Sequence, residues 1–221
     1  MGVRTIFIGD VHGCVDELKE MIGILGPTRE DRIILLGDLI NRGPDSPGVV
    51  RFVFESGFES LMGNHEYEYL RHYTQLPVFK KIREGLGEEL HSWLEGRPLF
   101  IETDAFLAVH AGLFPGKHPA ETPEEVLLNI RTVRPEDGFD SDLNRNGDPA
   151  WHTYYKGTKP VFYGHWARQG LTISHPTYGL DSGCVYGRAL SAYVLETGEL
   201  IQVPAKNVYY RKPYDSSPES G

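Results

Sequence analysis

Cysteine is scarce in this chain: 221 residues hold two, Cys14 and Cys184, far apart along the sequence. That rules out a CxxC redox pair, a zinc-finger spacing and a disulfide-stapled scaffold, and both read as buried free thiols. Long apolar runs are missing too; no stretch approaches the roughly 20 residues of a membrane span. Positive charge is in deficit, with 22 Lys and Arg against 31 Asp and Glu, a formal net charge of −9. A chain so charged does not bind duplex nucleic acid or an anionic membrane by charge alone. It still accepts a phosphorylated partner, because bound metal ions reverse the local sign. There is no room for a leader, since MGVRTIFIGD starts a strand almost at once; a cytoplasmic protein is expected. No internal repeat and no second domain stand out.

What is present is a globular balance of 40% hydrophobic and 24% charged residues, and a length that suits one α/β domain with a full core. Short apolar runs recur at TIFIG (5–9), RIILLG (32–37), ESLMG (59–63), FLAVH (106–110) and PVFYG (160–164). Helical spacing separates several of them. Val15, Leu18, Ile22 and Leu25 recur at three- and four-residue steps, which predicts a one-faced helix. Helices are also expected over 48–57, 65–73 and 86–94. Another should run from Pro123 to about Arg131, with Thr122 as its cap. After residue 176 the pattern turns to successive strands, YGLDSG, ALSAYVLE and ELIQVPA, read as a β-meander. The expected fold is α/β, two mixed β-sheets packed as a sandwich and flanked by helices. One domain over 1–205 is followed by a loose Ser/Pro-rich tail over 206–221.

Each of the five apolar runs ends in a polar mark. The first gives Asp10 and His12, the second Asp38 through Arg42, the third Asn64-His65-Glu66, the fourth His110 and the fifth His165. Ligands of open α/β sheets bind at the carboxyl ends of strands, so these ends can meet at one site. Asp10, His12, Asp38, Asn64, His110 and His165 are imidazole and oxygen donors with no thiolate. That set suits manganese, iron or zinc better than calcium. Six side chains exceed what one open catalytic ion takes and match two ions sharing a carboxylate, the usual clamp for displacement at phosphorus. Gly9, Gly13, Gly37, Gly43, Gly63 and Gly112 flank the donors and allow tight turns beside an ion.

The ordered set GDVHG, GDLINRG, GNHE, VHAGL and YGHW resembles the calcineurin-like metallophosphoesterases, and more narrowly their phosphoprotein-phosphatase branch with its bacterial relatives, including the symmetrical diadenosine tetraphosphate hydrolases. The resemblance covers about residues 4–204. It implies that Asp10, His12 and Asp38 bind one divalent metal ion. Asp38 then bridges to a second ion completed by Asn64, His110 and His165, with manganese favoured and iron, zinc or nickel as the others that fit. A hydroxide bridging the ions attacks phosphorus in line, His65 protonates the leaving oxygen, and Arg42 holds the phosphoryl oxygens. Arg131, in LLNIR, matches the branch's second phosphate arginine, with Arg134 as its rival. Glu66 is structural.

One position departs from the pattern. Protein phosphatases of this branch usually carry Asp where Asn41 stands. Asn41 can orient His65 by hydrogen bonding but adds no negative charge, which weakens the acid. The diadenosine tetraphosphate hydrolases also lack that Asp, and GHWA (164–167) resembles theirs. Against this, the chain lacks their long insertion between the HAG and GHW motifs. LLNIR and the segment from Trp151 to Gly157 resemble short bacterial phosphatases. The sequence thus leans to a phosphomonoesterase of the serine/threonine protein phosphatase kind, acting on a phosphoprotein. A dinucleoside tetraphosphate hydrolase, acting on a nucleotide, is the alternative, and a non-catalytic metal-binding scaffold is the alternative of another class. Asp142, Asn144, Asn146 and Gly147 imitate half of a calcium loop, but Thr153 stands where its Glu is needed. Trp151, Tyr154 and Tyr155 read as core or anchors.

Overall fold

The structure, a computed structural model, describes residues 2–140 and 143–211. The chain opens with β1 (Thr5–Ile8), α1 (Val15–Leu25), β2 (Arg32–Leu35), α2 (Ser46–Glu55) and β3 (Glu59–Ser60). α3 (Asn64–His72), α4 (Pro77–Glu95), β4 (Phe100–Glu102), β5 (Leu107–Val109) and α5 (Glu124–Asn129) come next. β6 (Val161–Tyr163), β7 (Thr172–Ser174), β8 (Thr177–Gly179), β9 (Ala189–Val194) and β10 (Glu199–Pro204) complete it.

Two five-stranded sheets form, in the orders β10-β9-β1-β2-β3 and β4-β5-β6-β8-β7. β1, β2 and β3 run parallel, as do β5, β6 and β8; the remaining strands are antiparallel to their neighbours. Both sheets are therefore mixed, as expected.

Side-chain alternation decides which face goes where. Ile6 and Ile8 of β1, with Ile33 and Leu35 of β2, face a core shared with Leu18, Met21, Val49 and Leu90 of the helices. Phe7 and Ile34 point the other way, into a core between the sheets with Ala108, Phe162 and Tyr178. There Phe7 and Phe162 stack at 3.7 Å. Leu107, Val109, Val161 and Tyr163 face outward again, covered by Val126, Leu127 and Trp151. Strands buried on both faces read as continuous apolar runs, which is why they stood out.

Several expectations are corrected. The run at 59–63 yields a two-residue strand, because β3 pairs with β2 at two positions only. The helix at 86–94 is the second half of α4, which bends where Gly87 takes a φ of 69°. α5 stops at Asn129, so Arg131 lies beyond it. The meander is split: β8 belongs to the second sheet, whereas β9 and β10 form a hairpin on the first. Residues 206–210, placed in the tail by composition, pack onto the fold. The backbone of Lys206 and the hydroxyl of Tyr209 both donate to Glu17 Oε1 at 2.8 Å. The rest of the expected tail, 212–221, lies outside the described residues, as does Asp142 of the calcium-loop imitation. Among the described residues no helix is long and apolar enough to cross a membrane.

Candidate active site

The parallel strands of both sheets deliver their following loops to one place. Asp38 occupies its centre. Its Oδ2 lies 3.5 Å from His12 Nε2, and its Oδ1 lies 3.5 Å from His110 Nε2 while accepting the His65 backbone N–H at 3.0 Å. One group of donor atoms joins His12, Asp38 and His65; another joins Asp38, His110 and His165. Asp38 is common to both, the position a bridging carboxylate needs. Neither group includes Asp10, whose two oxygens each accept the His165 backbone N–H at 3.0 Å.

The donors fit cations. His12 Nδ1 meets the Ile40 carbonyl at 3.0 Å and His110 Nδ1 meets that of Leu36 at 2.7 Å. A carbonyl only accepts, so both imidazoles carry their proton on Nδ1 and turn an Nε2 lone pair inward. Those lone pairs face other acceptors. His110 Nε2 is 3.1 Å from Asn64 Oδ1, and His12 Nε2 lies 3.5 Å from Asp38 Oδ2, with the Arg42 guanidinium as the cation beside it. Acceptor against acceptor is unfavourable unless a cation joins them. His165 Nδ1 lies 2.9 Å from the same Asn64 oxygen, and its buried Nε2 has no partner.

The backbone is bent to achieve this. Among the described residues, the non-glycine positions with positive φ are His12, Asp38, Asn41, Arg42 and His165, all at the site. Such conformations cost energy and persist where the surroundings enforce them. Glu66, fully buried, supplies part of that enforcement: Oε2 accepts from Asp38 and Gly63 N–H, and Oε1 accepts from Ile40 N–H. Burial raises its carboxyl to about 8, next to Asp38, against the pull of those three donors. Gly63 is needed for contact, since a Cβ there would lie 2.3 Å from the Asp38 nitrogen.

Protons are distributed by burial and neighbours. Burial drives His12 down to about 4 and His65 down to about 3, with Arg42 pushing both in the same direction. It likewise pushes His165 well below its ordinary value, aided by His110 and Arg131. Burial raises Asp10 well above the ordinary range, helped by Asp181 and Asp38. On Asp38 burial is outweighed by His110, His65 and His12, which hold the carboxyl low.

The Asn41 amide has a fixed orientation. Its Oδ1 accepts the Arg42 backbone N–H at 2.9 Å, so Nδ2 is the end that meets His65 Nδ1 at 2.8 Å. His65 Nδ1 is therefore an acceptor and the ring proton sits on Nε2, 4.0 Å from Asp38 Oδ2. Arg42 Nη1 donates to His12 Nε2 at 3.2 Å. Arg131 lines the same groove as Arg42 and His165. Arg134 lies outside that groove and pairs with Asp148 at 2.8 Å.

The calcineurin-like phosphoesterase model matches residues 3–188. The chain belongs to that family. A symmetrical bis(5'-nucleosyl)-tetraphosphatase from Aromatoleum aromaticum is 28% identical over 265 aligned positions, covering 90% of this chain and 96% of the relative. An asymmetrical bis(5'-nucleosyl)-tetraphosphatase from Oceanobacillus iheyensis is 26% identical, with 96% of each covered. The crystal structure of a "putative diadenosine tetraphosphatase" superposes with a TM-score of 0.86 at 31% identity, covering 93% of this chain and 95% of that one. The family implies divalent metal ions, and membership makes this chain a metal-dependent phosphoric ester hydrolase.

One site residue of the phosphoesterase escaped the sequence reading. Asp181, buried after β8, is raised to about 6 by burial and accepts the Gly183 N–H at 3.1 Å. It stands beside Asp10 and influences it more than Asp38 does. The signal is LDSG, a further Asp following an apolar run; LDSGCVYG (180–187) resembles the bacterial group, but the sequence reading attached no site role to Asp181. Trp151 and Tyr155 are in the core and its margin, as expected.

Proposed function

We propose that this phosphoesterase hydrolyses dinucleoside tetraphosphates, cleaving a phosphoanhydride. The observation that carries the reading is the Asn41 amide. With its oxygen engaged by Arg42, it gives His65 Nδ1 a donor where an imidazolium would need an acceptor. His65 then offers Nε2–H as a neutral hydrogen-bond donor, a weak acid. A serine alkoxide needs a full proton to depart; a nucleotide phosphate leaving from an anhydride does not. The tetraphosphatase relatives support the same substrate class. The phosphomonoester reading toward which the sequence leaned is the weaker one, and a nucleotide rather than a phosphoprotein is the expected partner.

In this reading Asp10, His12 and Asp38 hold one divalent ion, and Asp38, Asn64, His110 and His165 hold a second, manganese being the first choice. When bound, such ions act as Lewis acids and make water acidic enough to serve as nucleophile near neutral pH. Arg42 and Arg131 grip the phosphoryl oxygens with planar forks. Asn41 aims His65 at the leaving oxygen. A non-catalytic scaffold is disfavoured because no donor of the set is replaced.

The test is hydrolysis of diadenosine tetraphosphate, a phosphoserine peptide and an aryl phosphate at saturating manganese. The dinucleotide should show the highest kcat/KM, and its products, two ADP or ATP with AMP, report which anhydride breaks. A phosphopeptide hydrolysed faster than the dinucleotide would overturn the substrate.

A further inference from the structure

A groove of about 620 Å³ is lined in part by His165. Four arginines line it, Arg42, Arg131, Arg145 and Arg168, in a chain whose net charge is −9. Asp148, the carboxylate on its wall, is already bonded to Arg134. One phosphoryl group is served by Arg42 and Arg131. Arg145 and Arg168 line the same groove and, among the described residues, neither guanidinium has a hydrogen-bond or ion-pair partner. Their backbones are anchored all the same. The Arg145 carbonyl accepts the Thr132 hydroxyl at 3.1 Å, one residue from Arg131. Arg168 follows Ala167, whose carbonyl accepts from Arg188 at 2.7 Å.

The two aromatic side chains of the groove differ. The ring of Tyr186 is occupied, with the Arg42 guanidinium 5.7 Å from its centre. Trp166 is half-buried and, among the described residues, no ring or cation stacks on its indole. It is one peptide from His165, and its backbone N–H is fixed on the Gly164 carbonyl at 2.8 Å. Its position relative to the metal donors is thus set by the fold.

We infer that this groove is a polyphosphate and base subsite, in which Arg145 and Arg168 bind the phosphates beyond the scissile one and Trp166 stacks an adjoining nucleobase. The inference rests on the tetraphosphate reading above. Charge supports it, since a phosphomonoester gives two guanidinia work whereas a bridging tetraphosphate carries enough negative charge for four. Chemistry supports it too: an indole face accepts any nucleobase, so recognition falls on the nucleotide class and not on adenine alone.

The test compares diadenosine tetraphosphate, inorganic tetraphosphate and an aryl phosphate on wild type, Arg145→Ala/Arg168→Ala, Trp166→Ala and Trp166→Phe. Both arginines are exposed, so the fold is not at stake. The double variant should raise KM for diadenosine tetraphosphate and for inorganic tetraphosphate by about tenfold or more, the scale of charged hydrogen bonds. Its selectivity for either over the aryl phosphate should fall in proportion. Trp166→Ala should raise KM for the dinucleotide by roughly five- to a hundredfold and spare inorganic tetraphosphate, with Trp166→Phe recovering most of the loss. If the wild type cleaves diadenosine tetraphosphate and the variants keep its KM, the subsite is wrong while the substrate stands. If the wild type cleaves the aryl phosphate but not the dinucleotide, the substrate reading and the subsite fall together.

Discussion

Asn41 holds His65 through an amide whose oxygen is already engaged by Arg42 N–H. A carboxylate in its place would accept a hydrogen bond from His65 Nδ1–H and add negative charge, raising a pKa that burial now holds near 3. The limb on which the His65 imidazolium is lost, confined to low pH in the wild type where the neutral ring does the donating, should then move to higher pH in Asn41→Asp. The shift should be large with an alkyl phosphate and small with an anhydride, and His65→Ala should abolish it, because the two residues act as one unit. pH–rate profiles on both substrates at saturating metal decide the matter; an unmoved limb on the alkyl substrate would end the pairing. The arginines separate in the same way. Arg42→Ala and Arg131→Ala should keep their metal and lose about a hundredfold or more in turnover on an aryl phosphate, as when a transition-state donor is removed. Arg134→Ala, which removes a guanidinium that does not line the groove but pairs with Asp148 on its wall, should lose far less than either. A strong loss in Arg134→Ala with none in Arg131→Ala would reverse the assignment. Residue types were legible in the sequence; their conformations were not. Nothing in GDLINRG announces that Asp38, Asn41 and Arg42 all adopt positive φ.

The first turn of α3 carries three roles in consecutive residues. Asn64 faces His110 and His165, His65 meets Asn41, and Glu66 ties the helix to the loop after β2. Gly63 lets that loop approach: Gly63→Ala would put a Cβ 2.3 Å from the Asp38 nitrogen and 2.5 Å from Glu66 Oε2. Such overpacking costs about 1–3 kcal/mol, a drop of several degrees in Tm for a domain of this size. Thermal melts and metal analysis of Gly63→Ala should show both a lower Tm and weakened metal retention; wild-type values for both would refute the close approach. Strands buried on two faces, such as β1, β2, β5 and β6, were readable because Phe7, Ile34, Ala108 and Phe162 fill the space between the sheets. The edge strands β4 and β7 were not. Three residues each, partly exposed and paired on one side, they leave too little pattern to count.

Across the whole molecule, two sheets from separate parts of the chain complete one site. β1, β2 and β3 bring Asp10, His12, Asp38 and Asn64; β5, β6 and β8 bring His110, His165 and Asp181. The sequence led one to expect that the strand ends can converge, because the polar marks follow apolar runs in order. It did not show which strand joins which sheet, because membership is decided by pairing across distant segments. That is also why Asp181 was missed, since its proximity to Asp10 exists only once β8 lies beside β6. The convergence on Asp38 is the core of the account, because a shared carboxylate would make both proposed ions depend on one residue. Metal content after exhaustive dialysis tests it most directly. Wild type should retain two divalent ions per chain, Asn64→Ala should lose one preferentially, and Asp38→Asn should lose both. Two ions retained by Asp38→Asn at wild-type affinity would contradict it.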